Sequence, residues 1–344
     1  MTTYFIGTTF GTNSQWHTNE VLAIDHLKAQ INKKFPTAEN LIINTTWFGP
    51  QFDNGQYKKL NKFEHIDNLF FITLVDEIML THDQIENIRK KFNASLFLIG
   101  NYDSPYEVSF ISTVIPDYFK DYNDADLLIK DIKYLYLCYN RKPSEHRVKL
   151  VKQLIDYDLV RHGLVTLGKN DKLYSKVEYA PSFLLGEQPD DFANEGNWGM
   201  AMSYGIPHDI HSLGNMDIWQ NHFLNIISET TFNPWDHTFV TEKTWKPIIG
   251  LRPFIINGSS KLYLWLRNRG FRTFEKYFNN ILIEDIPEYE VHNSIIKVVQ
   301  HLASLDKHKL MNMYNDMLPD LMYNRTRFLE FSKEQKIKLT NLFT

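Results

Sequence analysis

The sequence predicts an α/β protein of two domains, each built on a parallel sheet. The chain has 344 residues, and a domain commonly holds about 150 residues. Hydrophobic residues make up 43% of the chain and charged residues 23%, which is ordinary for a folded protein and excludes a disordered or collagen-like one. Short apolar runs alternate with stretches of helical periodicity in both halves, as in sheets of parallel strands covered by helices.

The first 130 residues contain one such alternation. Strands are predicted at 4–7, 41–45, 69–75 and 95–100, and helices at 19–34 and 83–92. The first helix is predicted from the roughly helical spacing of Val21, Leu22, Ile24, Leu27 and Ile31. The strand at 69–75 is a continuous apolar run, which is typical of a strand buried on both faces.

A polar, acidic linker is predicted over 117–131, and a second alternation follows it. Strands are predicted at 134–139, 164–167, 223–228 and 253–257, and helices at 145–156, 241–250, 261–269 and from Ile295 onward. The stretch 171–216 is predicted to be irregular. Open α/β sheets bind ligands at the carboxyl ends of their strands, so the loops after Tyr139, Ser228 and Asn257 are the expected binding region.

Composition narrows the class of protein further. The formal net charge is −4, so there is no overall basic excess to bind nucleic acid non-specifically. The single cysteine, Cys138, excludes an internal disulfide and a multi-cysteine zinc site. The N-terminus lacks the pattern of a signal peptide, and no apolar run approaches the roughly 20 residues of a membrane span. We therefore expect a cytoplasmic protein without an integral membrane segment.

The densest group of candidate binding residues lies at 241–244, Thr-Glu-Lys-Thr. Thr241 is a suitable cap for a helix whose first turn holds Glu242 and Lys243. Free N–H groups and the helix dipole favour an anion there. Lys243 adds a charge that suits a phosphate, and the Glu242 carboxylate can accept from ribose hydroxyls. An ordinary helix start with a solvated Glu-Lys pair is the alternative.

A second candidate group lies where the strand at 134–139 leads into the next helix. Asn140, Arg141 and Lys142 occupy the loop, and Arg147 lies in the first turn of the helix. Three cations at a strand-to-helix junction are suited to a pyrophosphate. The alternative for Arg147 is an ordinary surface contact.

These segments belong to a longer set of short motifs in the C-terminal half. The set comprises Tyr-Asn-Arg-Lys-Pro at 139–143, His-Arg at 146–147, Ile-Ser-Glu-Thr at 227–230, Phe-Val-Thr-Glu-Lys-Thr-Trp-Lys-Pro at 239–247, Arg-Pro-Phe-Ile at 252–255, Gly-Phe-Arg-Thr-Phe at 270–274 and Tyr-Asn-Arg at 323–325. Over roughly residues 134–330 the chain resembles the donor-binding half of the fucosyltransferase-like glycosyltransferases, particularly the short forms of phages and bacteria. Residues 1–130 carry no matching motif.

The resemblance implies a GT-B fold, in which two Rossmann-like domains face each other across a cleft. Residues 1–130 would be the acceptor-side domain and 131–315 the nucleotide-sugar-binding domain. Residues 316–344 would form a C-terminal helix able to pack back on the N-terminal domain. The resemblance also implies a UDP- or GDP-linked sugar donor as co-substrate, with no cofactor and no obligatory metal.

The implied donor site consists of Asn140, Arg141, Arg147, Thr241, Glu242 and Lys243. Arg147 and Lys243 would hold the phosphates and stabilise the leaving diphosphate, while Glu242 would hold the ribose. An inverting transfer also needs a base near the acceptor hydroxyl. Asp76 and Glu77 are the preferred candidates, because they directly follow a predicted buried strand. Asp103 and Glu107 remain open as alternatives.

Several functional questions stay open at the level of sequence. The acceptor hydroxyl could belong to a glycan, a lipid-linked sugar or a hydroxymethylated base in phage DNA. A catalytically inactive nucleotide- or glycan-binding protein of the same fold is the alternative to an enzyme. A metal-dependent GT-A transferase using Asp124 and Asp126 is a third hypothesis, and His208 with His211 supplies ligand types for a metal but no evident third ligand.

Overall fold

The computed structural model describes residues 3–6, 15–44, 60–72, 82–100, 105–140, 144–167, 213–230, 232 and 240–343. Within these ranges the chain divides into two compact units. One unit holds the described residues of Met1–Val114 and Phe331–Thr344, and the other holds those of Ile115–Pro234 and Val240–Glu330. The first unit is therefore assembled from both ends of the chain.

A four-stranded parallel sheet forms the centre of the first unit. Its strands lie in the order β1, β2, β3 and β4, namely Thr3–Ile6, Asn40–Asn44, Asn68–Ile72 and Ser95–Ile99. Helix α1, Gln15–Lys34, connects β1 to β2, and α2, His82–Phe92, lies between β3 and β4 in the chain. Every residue of β2 and β3 is buried, which agrees with the continuous apolar runs in their sequences.

The two faces of this sheet are covered by different side chains, since successive residues of a strand point to opposite faces. Leu69 and Phe71 belong to a cluster with Ile85 and Ile88 of α2. Phe70 instead stacks on Phe97, with ring centroids 4.7 Å apart. The predicted apolar stripe of α1 is present, because Ile24, Leu27 and Ile31 are buried, whereas Leu22 is exposed.

The last residues of the chain complete the second face of this sheet. The Phe343 ring contacts the rings of Phe35, Phe70, Phe97 and Tyr106 at centroid distances of 5.4 to 6.1 Å. Two further bonds hold this segment within the same unit: Gln30 Nε2 donates to the Leu339 carbonyl at 2.9 Å, and Gln335 Oε1 accepts from the Ser109 N–H at 3.0 Å.

The second unit contains its own four-stranded parallel sheet, with strands in the order β6, β5, β7 and β8. These strands are Gly163–Val165, Tyr134–Cys138, His222–Ser228 and Phe254–Asn257. Because all four run in the same direction, Val165, Cys138, Ser228 and Asn257 end at one edge of the sheet. That edge carries the polar residues described below.

Helices accompany the strands of the second unit. Their bounds are α3 Phe110–Phe119, which begins in the first unit, α4 Asp124–Leu127, α5 Glu145–Asp156, α6 Met216–Trp219, α7 Glu242–Ile249, α8 Lys261–Asn268, α9 Val291–Ala303 and α10 Lys307–Thr340. Short 3₁₀ turns lie at Val160–His162, Glu275–Tyr277 and Glu288–Glu290. Residues of α10 from Phe331 onward belong to the first unit.

A buried arginine joins several elements of the second unit. Arg252 is fully buried and donates to the carbonyls of Leu127, Gly250 and Leu251 through Nη1 and to that of Trp219 through Nη2. The Trp219 indole N–H donates to the Gly250 carbonyl at 2.9 Å. A Cβ added at Gly250 would collide with the Trp219 ring, so the close approach of this backbone to the indole requires glycine.

The predicted α/β class is confirmed, with a parallel sheet in each half of the chain. The predicted linker over 117–131 differs from the structure, because α4 and the end of α3 lie within it and Phe119, Leu127 and Ile129 are buried. These isolated apolar residues anchor the segment, although the acids between them gave it the composition of a linker. Within the described ranges, none of the helices combines the length and the apolar character needed to cross a membrane.

Candidate functional site

Polar residues at the ends of β7 and β8 meet at the carboxyl edge of the second unit's sheet. Glu229 directly follows β7, and its N–H donates to the carbonyl of Asn257 at the end of β8 at 3.2 Å. Asn257 Nδ2 in turn donates to Ser228 Oγ at 3.1 Å. All three residues are buried. This is the edge at which open α/β sheets bind their ligands.

The start of α7 lies against this edge, and Thr241 caps it as the sequence predicts. The Thr241 hydroxyl accepts from the Lys243 N–H at 3.3 Å. The helix extends over eight residues, Glu242–Ile249, and its N-terminal N–H groups and dipole favour an anion. Thr241 and Glu242 are buried, and the Lys243 side chain is about a third exposed.

The Lys243 ammonium group has three oxygen partners. Its Nζ lies 2.7 Å from Glu242 Oε1, 3.3 Å from Thr241 Oγ1 and 3.5 Å from Thr230 Oγ1. The Thr230 contact is at the outer limit of a hydrogen bond. A phosphate oxygen entering this site can therefore replace Thr230 without breaking the Glu242–Lys243 ion pair.

Charge neighbours keep this ion pair ionised. Burial acts against the charged form of both groups, but the Glu242 and Glu229 carboxylates outweigh it and raise the pKa of Lys243. In the same way, Lys243 and Lys246 outweigh burial and lower the pKa of Glu242. Both side chains are thus charged over the whole neutral pH range, as a site for a charged ligand requires.

Arg147 approaches the same strand end from the first turn of α5. Its Nη2 donates to the main-chain carbonyls of Ser228 at 3.0 Å and Glu229 at 2.9 Å. Arg147 is only 4% exposed, so the surface contact considered from sequence is wrong. These two carbonyls orient the guanidinium group. Arg147 therefore adds a positive field close to Lys243, whose pKa it acts to lower.

Asn140 connects two strand ends. Its N–H donates to Thr166 Oγ1 at 2.9 Å, and its Nδ2 donates to the Thr166 carbonyl at 3.0 Å and to the Cys138 carbonyl at 3.3 Å. Asn140 is 1% exposed. The amide nitrogen thus ties the end of β5 to the residue that follows β6.

Glu229 is the central residue that the sequence prediction did not place in the site. It is fully buried, and its carboxylate accepts from the hydroxyls of Thr241 and Thr244, each at 2.6 Å. The available signal was an acid directly after a mostly apolar strand. Its partners lie 12 and 15 residues further along the chain, a separation that periodicity does not reveal.

The remaining predicted site residues lie elsewhere. Asp76, Glu77, Asp103 and Arg141 fall outside the described residues. Glu107 is half-buried in the first unit and forms an isolated bridge with Gly100 just beyond β4. The assignment of a catalytic base therefore stays a prediction.

The residues considered as metal ligands have other partners or lie outside the described ranges. Asp124 forms an ion pair with Arg325, and Asp126 Oδ2 accepts from Asn123 Nδ2 at 3.3 Å. His208 and His211 are outside the described residues. In the part of the chain that the structure describes, no three His, Cys, Asp or Glu side chains are grouped so as to hold a metal ion.

Two buried histidines predict that the folded protein becomes less stable as the pH is lowered. Burial, together with the nearby Arg147 charge, lowers the pKa of His146 from 6.5 to about 4. Burial and Arg252 lower the pKa of His222 to about 3. The unfolded chain binds more protons than the folded chain between the folded pKa and 6.5. The stability contributed by these residues is therefore complete above pH 6.5 and is lost as the pH falls toward 4.

We expect the free energy of unfolding to drop by about 2 kcal/mol per buried histidine between pH 7.5 and pH 5. Urea unfolding at the two pH values measures this loss. His222→Gln should show a smaller loss than the wild type, and His308→Gln, at an exposed position, should match the wild type. An equal loss in all three proteins would contradict the assignment of His222.

Comparisons with known proteins found no counterpart of this chain. No protein-family model matches it, and searches of curated proteins and of solved structures likewise gave no match.

Proposed function

We propose that the chain is a nucleotide-sugar-dependent glycosyltransferase of GT-B type. It would invert the configuration at the anomeric carbon of the transferred sugar and would need no metal. The observation that carries this proposal is the meeting of two cations, Arg147 and Lys243, at the end of β7. They come from the first turns of two different helices, and the Glu242 carboxylate lies beside Lys243. Two cations and one carboxylate are the complement of a diphosphate attached to a ribose.

The chemistry follows from where charge develops in the transfer. Breaking the bond between the sugar and the diphosphate places negative charge on the leaving group. Lys243 and Arg147 are already oriented by oxygen partners, so they stabilise that charge with little reorganisation. The α7 dipole acts in the same direction. Glu242 is 11% exposed through its side chain and supplies an acceptor for a ribose hydroxyl.

The acceptor side of the reaction rests on the sequence resemblance alone. A base from the N-terminal unit would take the proton of the acceptor hydroxyl, with Asp76 and Glu77 as first candidates and Asp103 and Glu107 as alternatives. The hydroxyl would belong to a glycan, a lipid-linked sugar or a hydroxymethylated DNA base. The competing proposal is a binding protein that keeps the Arg147–Lys243 site and transfers nothing.

A thermal-shift screen against nucleotides tests the donor site. UDP, GDP, ADP, CMP and their common sugar conjugates are added to the full chain, each with Mg²⁺ and with a chelator. A nucleotide present at about 100 times its Kd adds about 2.7 kcal/mol to the stability. We expect a shift with UDP or GDP that the chelator does not abolish.

Two comparisons make the screen decisive. Lys243→Ala should lose the shift, whereas Lys152→Ala should keep it, because Lys152 is an exposed lysine paired with Asp156 on α5. Release of free sugar from the stabilising nucleotide sugar separates the enzyme from the binding protein. The absence of a shift with every nucleotide would refute the donor site.

A further inference from the structure

Glu229 uses both of its main-chain polar groups to bond to two elements, β8 and α5. Its N–H donates to the Asn257 carbonyl at the end of β8. Its carbonyl accepts from His146 Nε2 at 3.0 Å and from Arg147 Nη2 at 2.9 Å, both in the first turn of α5. Because a carbonyl only accepts, the His146 proton is on Nε2. The residue after β7 is thus bonded to both β8 and α5.

The Glu229 side chain reaches the third element, α7. Oε2 accepts from the Thr241 hydroxyl, and Oε1 accepts from the Thr244 hydroxyl and, at 3.3 Å, from the Thr241 N–H. The Thr241 hydroxyl gives its only proton to Glu229, which leaves its lone pairs for the Lys243 N–H and Nζ. A chain of hydrogen bonds therefore links Glu229 through Thr241 to Lys243.

Glu229 does not reach the surface on which a ligand would bind, because it is fully buried. Its negative charge would weaken the binding of an anion in the same region, and burying a carboxylate is costly unless hydrogen bonds compensate. The role of Glu229 is therefore not direct contact with an anionic ligand.

We propose that Glu229 is the positioning residue that holds the starts of α5 and α7, and with them Arg147 and Lys243, in the arrangement that binds a diphosphate. This inference rests on the proposed donor site. The carboxylate orients the Thr241 cap, and the carbonyl orients the guanidinium group, so a single residue sets the placement of both cations. Outer partners of this kind commonly change ligand affinity about 10- to 100-fold when they are removed, as they do around metal sites.

The test measures the Kd of UDP and of GDP for Glu229→Gln and Thr244→Val in the full chain. Glutamine keeps the shape and removes the charge, but its NH₂ must face either the Thr241 N–H or the Thr241 hydroxyl that caps Lys243. Valine keeps the Glu229 charge and removes one of its three side-chain bonds. We expect Glu229→Gln to weaken nucleotide binding about 10-fold and Thr244→Val to weaken it less.

The alternative roles of Glu229 predict different changes in the nucleotide Kd. If Glu229 acted only through its charge, Glu229→Gln would tighten binding and Thr244→Val would leave it unchanged. If Glu229 served folding alone, both variants would lower the Tm and keep the wild-type Kd. Either result overturns the proposal. Should Glu229→Gln fail to fold, Thr244→Val decides, because unchanged binding in that variant contradicts the positioning role.

A ligand-free readout keeps this inference separate from the proposed function. Amide hydrogen exchange of 241–246 should accelerate in both variants without any nucleotide. Asp320→Asn is the matched control: Asp320 is also a buried carboxylate, bonded to Arg272 and Lys276, and its removal should leave exchange in 241–246 and nucleotide binding unchanged. Failure of the wild type to bind nucleotides would contradict the proposed donor site. Unchanged hydrogen exchange of 241–246 in both variants would contradict the positioning role of Glu229.

Discussion

Lys243→Ala is expected to lower sugar transfer by about 100-fold or more, the effect of removing one preorganised charge at a developing anion. The Lys243 side chain is the more exposed of the two cations, and its ammonium group donates to the side-chain oxygens of Glu242, Thr241 and Thr230. Its removal therefore leaves the main-chain bonds at the strand ends intact. The rate of sugar release or transfer from the stabilising nucleotide sugar, together with the nucleotide Kd, measures the effect.

Arg147→Ala should cause a loss of similar size for a partly different reason. It removes a charge and also frees the carbonyls of Ser228 and Glu229. Arg147→Lys restores the charge but not the planar guanidinium group, whose Nη2 donates to both carbonyls, so we expect only partial recovery. Lys152→Ala is the control on the same helix. Near-native transfer in both alanine variants would contradict the assignment of these cations.

Arg252→Met is expected to destabilise the second unit by about 3–5 kcal/mol, the usual cost of leaving buried partners of a charged group unsatisfied. Burial lowers the pKa of Arg252 to about 10, so the group stays charged at neutral pH. Its donors serve the carbonyls of Leu127, Trp219, Gly250 and Leu251. Methionine fills much of the volume but donates no hydrogen bond.

Urea unfolding followed by tryptophan fluorescence measures this loss. Arg252→Lys should fall between the wild type and Arg252→Met, because one ammonium group cannot reach all four carbonyls. Arg161→Ala is the control, since Arg161 is exposed and paired with Asp158, and it should change stability by less than about 0.5 kcal/mol. A loss of that small size for Arg252→Met would refute the role of the buried guanidinium group.

The sequence predicted the elements whose signals are local. Strands β2, β3, β7 and β8 are short apolar runs, and the structure places them within a few residues of the predicted bounds. The Thr241 cap of α7 is likewise a local pattern. Helix α3 was not predicted, because Phe110–Phe119 is apolar on most sides and contains Pro116, so its periodicity is weak.

The features that the sequence did not predict depend on contacts between distant residues. Glu229 bonds to residues up to 83 positions away, and Arg252 bonds to Leu127, 125 positions away. Acids and arginines are usually exposed, and only the fold shows that these two are buried and hydrogen-bonded to distant residues. The predicted cations Arg147 and Lys243 lie near each other because α5 and α7 both start at the carboxyl edge of one sheet, which follows from strand order rather than from spacing.

The position of Phe343 bears on how the protein is made. Its ring packs on Phe70 and Phe97 of the first sheet, although the residues of the second unit lie between them in the chain. During synthesis, which proceeds from the N-terminus, this contact can form only after Phe343 has been translated, well after the strands of the first sheet. The second unit has all of its residues by Glu330, so the half of the protein that is translated later is the first to have a complete set of partners.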